Sequence, residues 1–106
     1  MAAELKLSHT TALILQVIHC GRVYGYSIME TTGLPSGTVY PALRCLERDG
    51  LIRSQWEKEA IAEADQRPPR KYYKLTNAGR ATLEASRKRY PLLASFTPPP
   101  LEHENV

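Results

Sequence analysis

Ser36-Gly37-Thr38-Val39-Tyr40-Pro41-Ala42-Leu43-Arg44-Cys45-Leu46-Glu47-Arg48-Asp49-Gly50-Leu51-Ile52 reads as a capped helix, a glycine stop and the first residues of a strand. Val39, Leu43 and Leu46 fall at i, i+4, i+7, with Ala42 beside them, and form an inward stripe. Gly37, Tyr40, Arg44 and Arg48 form the outward stripe. Its phenol and guanidinium groups suit phosphate oxygens and base edges. Such a helix, in a small basic protein, is built to enter a major groove. Ser36 or Thr38 is expected to cap it. Pro41 removes one helical hydrogen bond and disfavours helical geometry at Tyr40, so the first turn is expected to start late or be distorted.

Working back from this helix, Gly33, Leu34 and Pro35 form a turn, and a short helix from about Gly25 or Tyr26 to Thr32 precedes it. Helix, turn and helix at this spacing match a helix-turn-helix. An earlier helix starts near Ser8 or Thr10 and stops at Gly21. Its apolar face is Leu13, Ile14, Val17 and Ile18, which Leu15 widens toward burial on two sides.

Working forward, Leu51–Trp56 and Arg70–Leu75 read as two strands, the second rich in β-favouring tyrosines. The polar loop between them ends in Gln66-Arg67-Pro68-Pro69. Two such strands directly after a helix-turn-helix make a wing. A further helix starts after Thr76, a good cap, and runs to about Tyr90, where Pro91 stops it. The fold class is α+β, mainly α: a winged helix-turn-helix of three helices and a two-stranded wing, plus one C-terminal dimerisation helix. The expected division is 1–76 for the winged helix, 77–97 for the last helix and the apolar patch of Leu92, Leu93 and Phe96, and 98–106 for a disordered tail.

The chain has 106 residues and a net charge of +3, enough for one small domain that self-association would help to stabilise. Glu57, Glu59, Glu63 and Asp65 crowd into the loop against Lys58 alone, and the tail adds Glu102 and Glu104. Positive charge is therefore concentrated on the rest of the chain, where a nucleic-acid surface would lie. The acidic loop is expected to be a solvated insert pointing away from DNA. Cys20 and Cys45 lie far apart and form no C-x-x-C. They fit small buried apolar residues in a reducing compartment better than a disulfide. The longest apolar run, broken by Gln16, is far below the ~20 residues needed to span a bilayer. A cytoplasmic protein with no membrane partner is expected. His9, His19 and Cys20 match no metal-ligand spacing, and no constellation of catalytic groups or phosphate-binding glycine loop supports an enzyme. No catalytic residue, metal or cofactor is assigned. Trp56, the one tryptophan, is expected to pack in the core or against the strand.

Ser36-Gly37-Thr38-Val39-Tyr40-Pro41-Ala42-Leu43, Leu46-Glu47, Gly50-Leu51-Ile52, Trp56, Arg67-Pro68-x-Arg70-Lys71-Tyr72-Tyr73-x-Leu75-Thr76 and Ala78-Gly79, in that order, resemble the PadR family of bacterial transcriptional regulators. The resemblance covers roughly residues 8–90. It implies a winged helix that binds a double-stranded DNA operator as a homodimer, and repression released by a small-molecule effector. The family's wing commonly has glycine where this chain has Gln66, and Pro69 is an added proline, so a stiffer wing tip is expected. The single helix after the wing resembles the family's short type.

Ser36, Thr38 and Tyr40 match family positions at the start of the recognition helix. Thr38 and Tyr40 are expected on phosphates, and Arg44 on a base edge or phosphate. Arg67, Arg70 and Lys71 are candidate wing contacts to phosphates or the minor groove. Leu15, Leu83, Arg87, Tyr90 and Leu93 are the candidate dimer interface. The rival reading is a winged-helix protein-interaction module without sequence-specific DNA binding.

Overall fold

The computed structural model describes residues 7–95. The expected tail at 98–106 and Phe96 lie outside the described residues. Eight elements follow in order: α1 His9–His19, α2 Gly25–Thr32, α3 Ser36–Arg48, β1 Ile52–Trp56, α4 Glu59–Ala64, β2 Lys71–Leu75, α5 Asn77–Arg89 and α6 Pro91–Ala94. The expected mainly helical winged helix-turn-helix is therefore observed. Two elements go beyond it: α4 inside the acidic loop, and α6 after the C-terminal helix. No helix among the described residues is long and apolar enough to cross a membrane.

The helix starts follow the local chemistry in two cases and depart from it in the third. Ser8 caps α1 by accepting from the Thr11 amide at 3.1 Å. Thr76 caps α5 by accepting from the Gly79 amide at 3.0 Å. For α3, the capping expectation is corrected. Pro35 stands at the N-cap and no side chain caps the helix, so Ser36 is already its first turn. The backbone does the work instead: Thr38 and Val39 both donate to the Pro35 carbonyl, at 2.9 and 3.0 Å.

The helix then runs through Pro41 without a late start. A mid-helix proline costs ~3 kcal/mol or more. Fully burying each of Val39, Leu43 and Leu46 is worth ~1.5–3 kcal/mol, and all three are at most 1% exposed. The packing term wins. The damage is also local, because only the Gly37 carbonyl loses its partner and both positions face solvent.

The two strands pair antiparallel, from Ile52↔Leu75 to Trp56↔Lys71. Side-chain alternation puts Ile52, Leu75 and Tyr73 on the inner face, where all are buried. The wing is joined to the front of the helix-turn-helix by a further bond from the Tyr73 amide to the Val23 carbonyl, 2.9 Å. At the other end, the Thr76 hydroxyl donates to the Gly50 carbonyl at 2.7 Å. Gly79 lets α5 come this close: a Cβ there would lie 2.0 Å from the Leu51 carbonyl oxygen.

α1 is the centre of the molecule and touches α2, α3, α5, α6 and β2. This packing involves every residue of the expected dimer interface. Leu15, Leu83 and Leu93 are at most 2% exposed and belong to the core of a single chain. Leu15's two-sided burial is met by the chain's own helices. Arg87 and Tyr90 are likewise engaged internally: Arg87 Nε donates to Gln16 Oε1 at 3.2 Å, and the Tyr90 hydroxyl to the Leu7 carbonyl at 2.7 Å. Leu92, by contrast, is 82% exposed. Both cysteines are free thiols, and Cys45 is exposed rather than buried. One position before Leu46 means a turn of about 100° away from the core stripe.

Candidate nucleic-acid interface

The expected DNA-facing residues divide into two groups. Ser36, Thr38, Tyr40 and Arg44 line the start and outer face of α3, with Ser36, Tyr40 and Arg44 exposed and Thr38 half-buried. Arg70 is exposed and Lys71 half-buried at the base of the wing. These last two meet Tyr40 and Arg44 across one groove of about 490 Å³, which Tyr24, Gly25, Tyr26, Trp56, Pro69 and Tyr73 complete. Cations and aromatic rings alternate in it. The Arg70 guanidinium lies 4.7 Å from the Tyr24 ring centre. Lys71 Nζ lies 5.7 Å from the Trp56 ring and 6.0 Å from the Tyr73 ring.

Tyr40 is held in place from below. A Cβ on Gly25 would meet the Tyr40 hydroxyl at 2.5 Å, so the phenol rests on the start of α2 only because residue 25 is glycine. The sequence marks Gly25 or Tyr26 as the helix start but gives no sign of this contact. Tyr73 sits under the groove. Burial, then the nearby Glu47 carboxylate and Tyr40, push its phenol above the usual range, and Arg44 opposes them. Tyr73 is therefore a neutral floor at physiological pH.

Trp56 was expected to be packed and is 63% exposed. It ends β1 opposite Lys71, beyond the part of the hairpin that reaches the core. Alternation places it on the same strand face as Ser54 and Ile52, but the core runs out before position 56. Tyr26, 68% exposed, is a further large ring on this rim, and Tyr40 is exposed beside it. Exposed aromatic groups are thus grouped beside cations on this rim rather than scattered singly.

Arg67, expected on the DNA face, does not line this groove. Its guanidinium grips Glu57, with Nη1 on Oε1 and Nη2 on Oε2, the latter at 2.8 Å. Its Nε reaches Asp65 at 3.3 Å. Glu57 also accepts from the Tyr72 hydroxyl at 2.8 Å and from the Arg70 amide at 3.2 Å. Arg67 and Tyr72, together with the Arg70 amide, hold its carboxyl down to about 2 against the opposing pull of burial. The Tyr72 phenol is pushed up, first by its hydrogen bond with Tyr24, then by Glu57 and burial. The acidic insert is thus a built element, and Glu57 is buried within it. Glu59, Glu63 and Asp65 are exposed.

Gln66 explains how Arg67 is delivered. It takes φ 57°, the left-handed region that favours glycine. The Gln66 amide donates to the Glu63 carbonyl and the Arg67 amide to the Ala62 carbonyl, at 3.0 and 3.1 Å. These two bonds close α4 as a Schellman motif with Arg67 just past its end. The backbone therefore takes a conformation that favours glycine although the residue is glutamine.

Comparison with known proteins agrees with this geometry. A model of the transcriptional regulator PadR-like family matches residues 14–85. A PadR family transcription regulator from Clostridium difficile is similar at 29% identity and TM-score 0.69, covering 83% of this chain and 93% of the other. A PadR-like transcription factor from Bacteroides fragilis is 29% identical with TM-score 0.65, over 80% of this chain and 82% of its own. A PadR-like transcriptional regulator from Bacillus cereus is 25% identical with TM-score 0.62, over 80% and 84%. A search of curated proteins finds no match. The matched span runs from α1 through the wing to α5, and on it the chain belongs to the PadR-like family of transcriptional regulators.

Proposed function

We propose that this protein binds a two-fold-symmetric DNA operator as a homodimer in the cytoplasm and represses transcription there. The observation that carries the reading is the groove shared by α3 and the wing, where Tyr40, Arg44, Arg70 and Lys71 converge with exposed Tyr26 and Trp56. Arg44 reaches a base edge or phosphate from the exposed side of α3. Ser36, Thr38 and Tyr40 approach phosphates at its start, and Arg70 and Lys71 take the neighbouring backbone from the wing.

A homodimer fits this use, since two identical recognition helices read two half-sites about one helical turn apart. Among the described residues, Leu92 is a large apolar side chain left exposed near the end of the last helix, where it would support such a contact. Release by a small-molecule effector belongs to the same reading and is carried by the family resemblance alone. The protein-interaction reading is disfavoured by the hydroxyl, phenol and guanidinium groups on the outer face of α3, which an apolar docking surface would not need.

Selection of bound fragments from genomic DNA tests the proposal. A two-fold-symmetric site is expected. Fragments with no common site would leave the interaction module as the better account. Sedimentation at micromolar concentration tests the dimer, and a monomer would overturn that part.

A further inference from the structure

Glu57 controls Arg70 from two directions. Along the backbone, the Glu57 amide donates to the Arg70 carbonyl at 2.7 Å, while its carboxylate accepts from the Arg70 amide at 3.2 Å. Through side chains, Glu57 Oε2 accepts from the Tyr72 hydroxyl at 2.8 Å, which in turn accepts from the Tyr24 hydroxyl at 3.3 Å. The Tyr24 ring is the one under the Arg70 guanidinium. The Tyr24 and Tyr72 rings are themselves packed at 4.7 Å. The end of α4 supplies Arg67, whose bidentate grip fills the rest of the carboxylate. The Tyr24 contacts, one hydroxyl bond and two ring contacts, join this network to the residue that precedes α2.

From this arrangement we infer that Glu57 is a positioning residue for DNA binding. It fixes both the backbone of Arg70 and the ring on which Arg70 rests, so that wing and helix-turn-helix meet the phosphates as one preformed surface. The inference rests on the DNA-binding reading above. An acidic residue would ordinarily weaken DNA binding, because its charge repels phosphate. Here the carboxylate is buried and its charge is matched by Arg67. What it contributes is order: a long arginine side chain fixed before binding loses less freedom on contact. The insert that looks like a DNA-repelling loop thus becomes the support of the wing.

The sign of the effect makes the test sharp. The probe is a mixed-sequence duplex of roughly 30 base pairs, whose binding by the full chain is followed against salt. Arg70→Ala is expected to lower the slope of log affinity against log salt by about 1. Glu57→Gln removes a negative charge, and by charge alone it would tighten binding. Positioning instead requires it to weaken binding, by about tenfold, with a similar loss of slope. In the Arg70→Ala background the same substitution should change affinity less than about twofold, since the two act through one contact. Tyr72→Phe keeps the charge and ring and removes only the linking hydroxyl. It should show a smaller loss that also vanishes without Arg70, and it serves if Glu57→Gln folds poorly. Tighter binding by Glu57→Gln, or equal losses with and without Arg70, would overturn the inference. An Arg70→Ala protein with the wild-type slope would instead remove Arg70 from the DNA face, a distinct failure of the underlying reading.

Discussion

Arg44 and Arg67 stand in similar company in the chain, each within three residues of a proline, yet the fold uses them in opposite ways. Arg44 projects from α3 and makes no hydrogen bond among the described residues, and it lines the groove with Tyr40. Arg67 is turned inward onto Glu57 and its side chain is 19% exposed. On the recognition helix Arg44 stays uncommitted although Glu47 and Arg48 pair with Ser54 and Asp49, whereas the wing insert commits Arg67, Glu57 and Asp65 to each other. A charged group satisfied inside the protein is unavailable to a ligand, whatever its sequence neighbours suggest.

The largest expected difference lies in DNA affinity. Arg44→Ala should weaken binding to the selected operator by ~10–100-fold, the worth of a good base or phosphate contact. Its melting temperature should stay at the wild-type value, because the side chain supports nothing in the fold. A variant that melts early instead would place Arg44 with Arg67 as a structural group. Tyr40→Phe provides a milder version, losing only the hydroxyl.

Arg67→Ala should show the reverse order of effects. It leaves the Glu57 carboxylate buried without its main partner, so a fall of several degrees in melting temperature is expected, larger than for any α3 surface variant. An unchanged melt would mean that the pair is dispensable and would return Arg67 to the list of DNA contacts.

Acid separates the two regions further. The Glu57 carboxyl titrates near 2 in the fold and near 4.5 when unpaired. A carboxyl lowered by folding adds stability that is complete above the unfolded value and is lost as pH falls through the folded one. The stability difference between wild type and Glu57→Gln should therefore be full at neutral pH and shrink as pH drops from 4.5 toward 2. Thermal melts across that window measure it. A difference independent of pH would show that the negative charge of Glu57 is not what holds Arg67 and Tyr72.

The smallest effects concern the helix ends. Ser36→Ala should change stability by less than ~0.5 kcal/mol, against ~1 kcal/mol for loss of a true cap. Gln66→Gly should be neutral or stabilising by up to ~1 kcal/mol, since relief of left-handed strain exceeds the added freedom of the unfolded chain. Denaturant titration resolves both. Destabilisation by Ser36→Ala would restore a capping role to its hydroxyl.

Periodicity was a good guide where one chain segment decides the outcome. Val39, Leu43 and Leu46 mark a buried stripe in any arrangement of neighbours, and Ser8 and Thr76 cap with atoms three residues away. It failed where distant segments decide. Leu15 looked available to a second copy because nothing near it in sequence shows that α1 is surrounded by the chain's own elements. Trp56 looked buried because large apolar rings usually are, yet the sheet extends past the core before reaching it.

The sequence by itself determined the helix-turn-helix, the two strands, the outward Tyr40 and Arg44, and the family. These follow from spacings of three, four and two residues and from motifs in a fixed order. Only the tertiary structure decided which cations remain open to a partner. That choice depends on which carboxylate, ring or amide lies within about 3 Å in space. Glu57 meets Arg67 ten positions away, and Tyr24 meets Tyr72 across forty-eight.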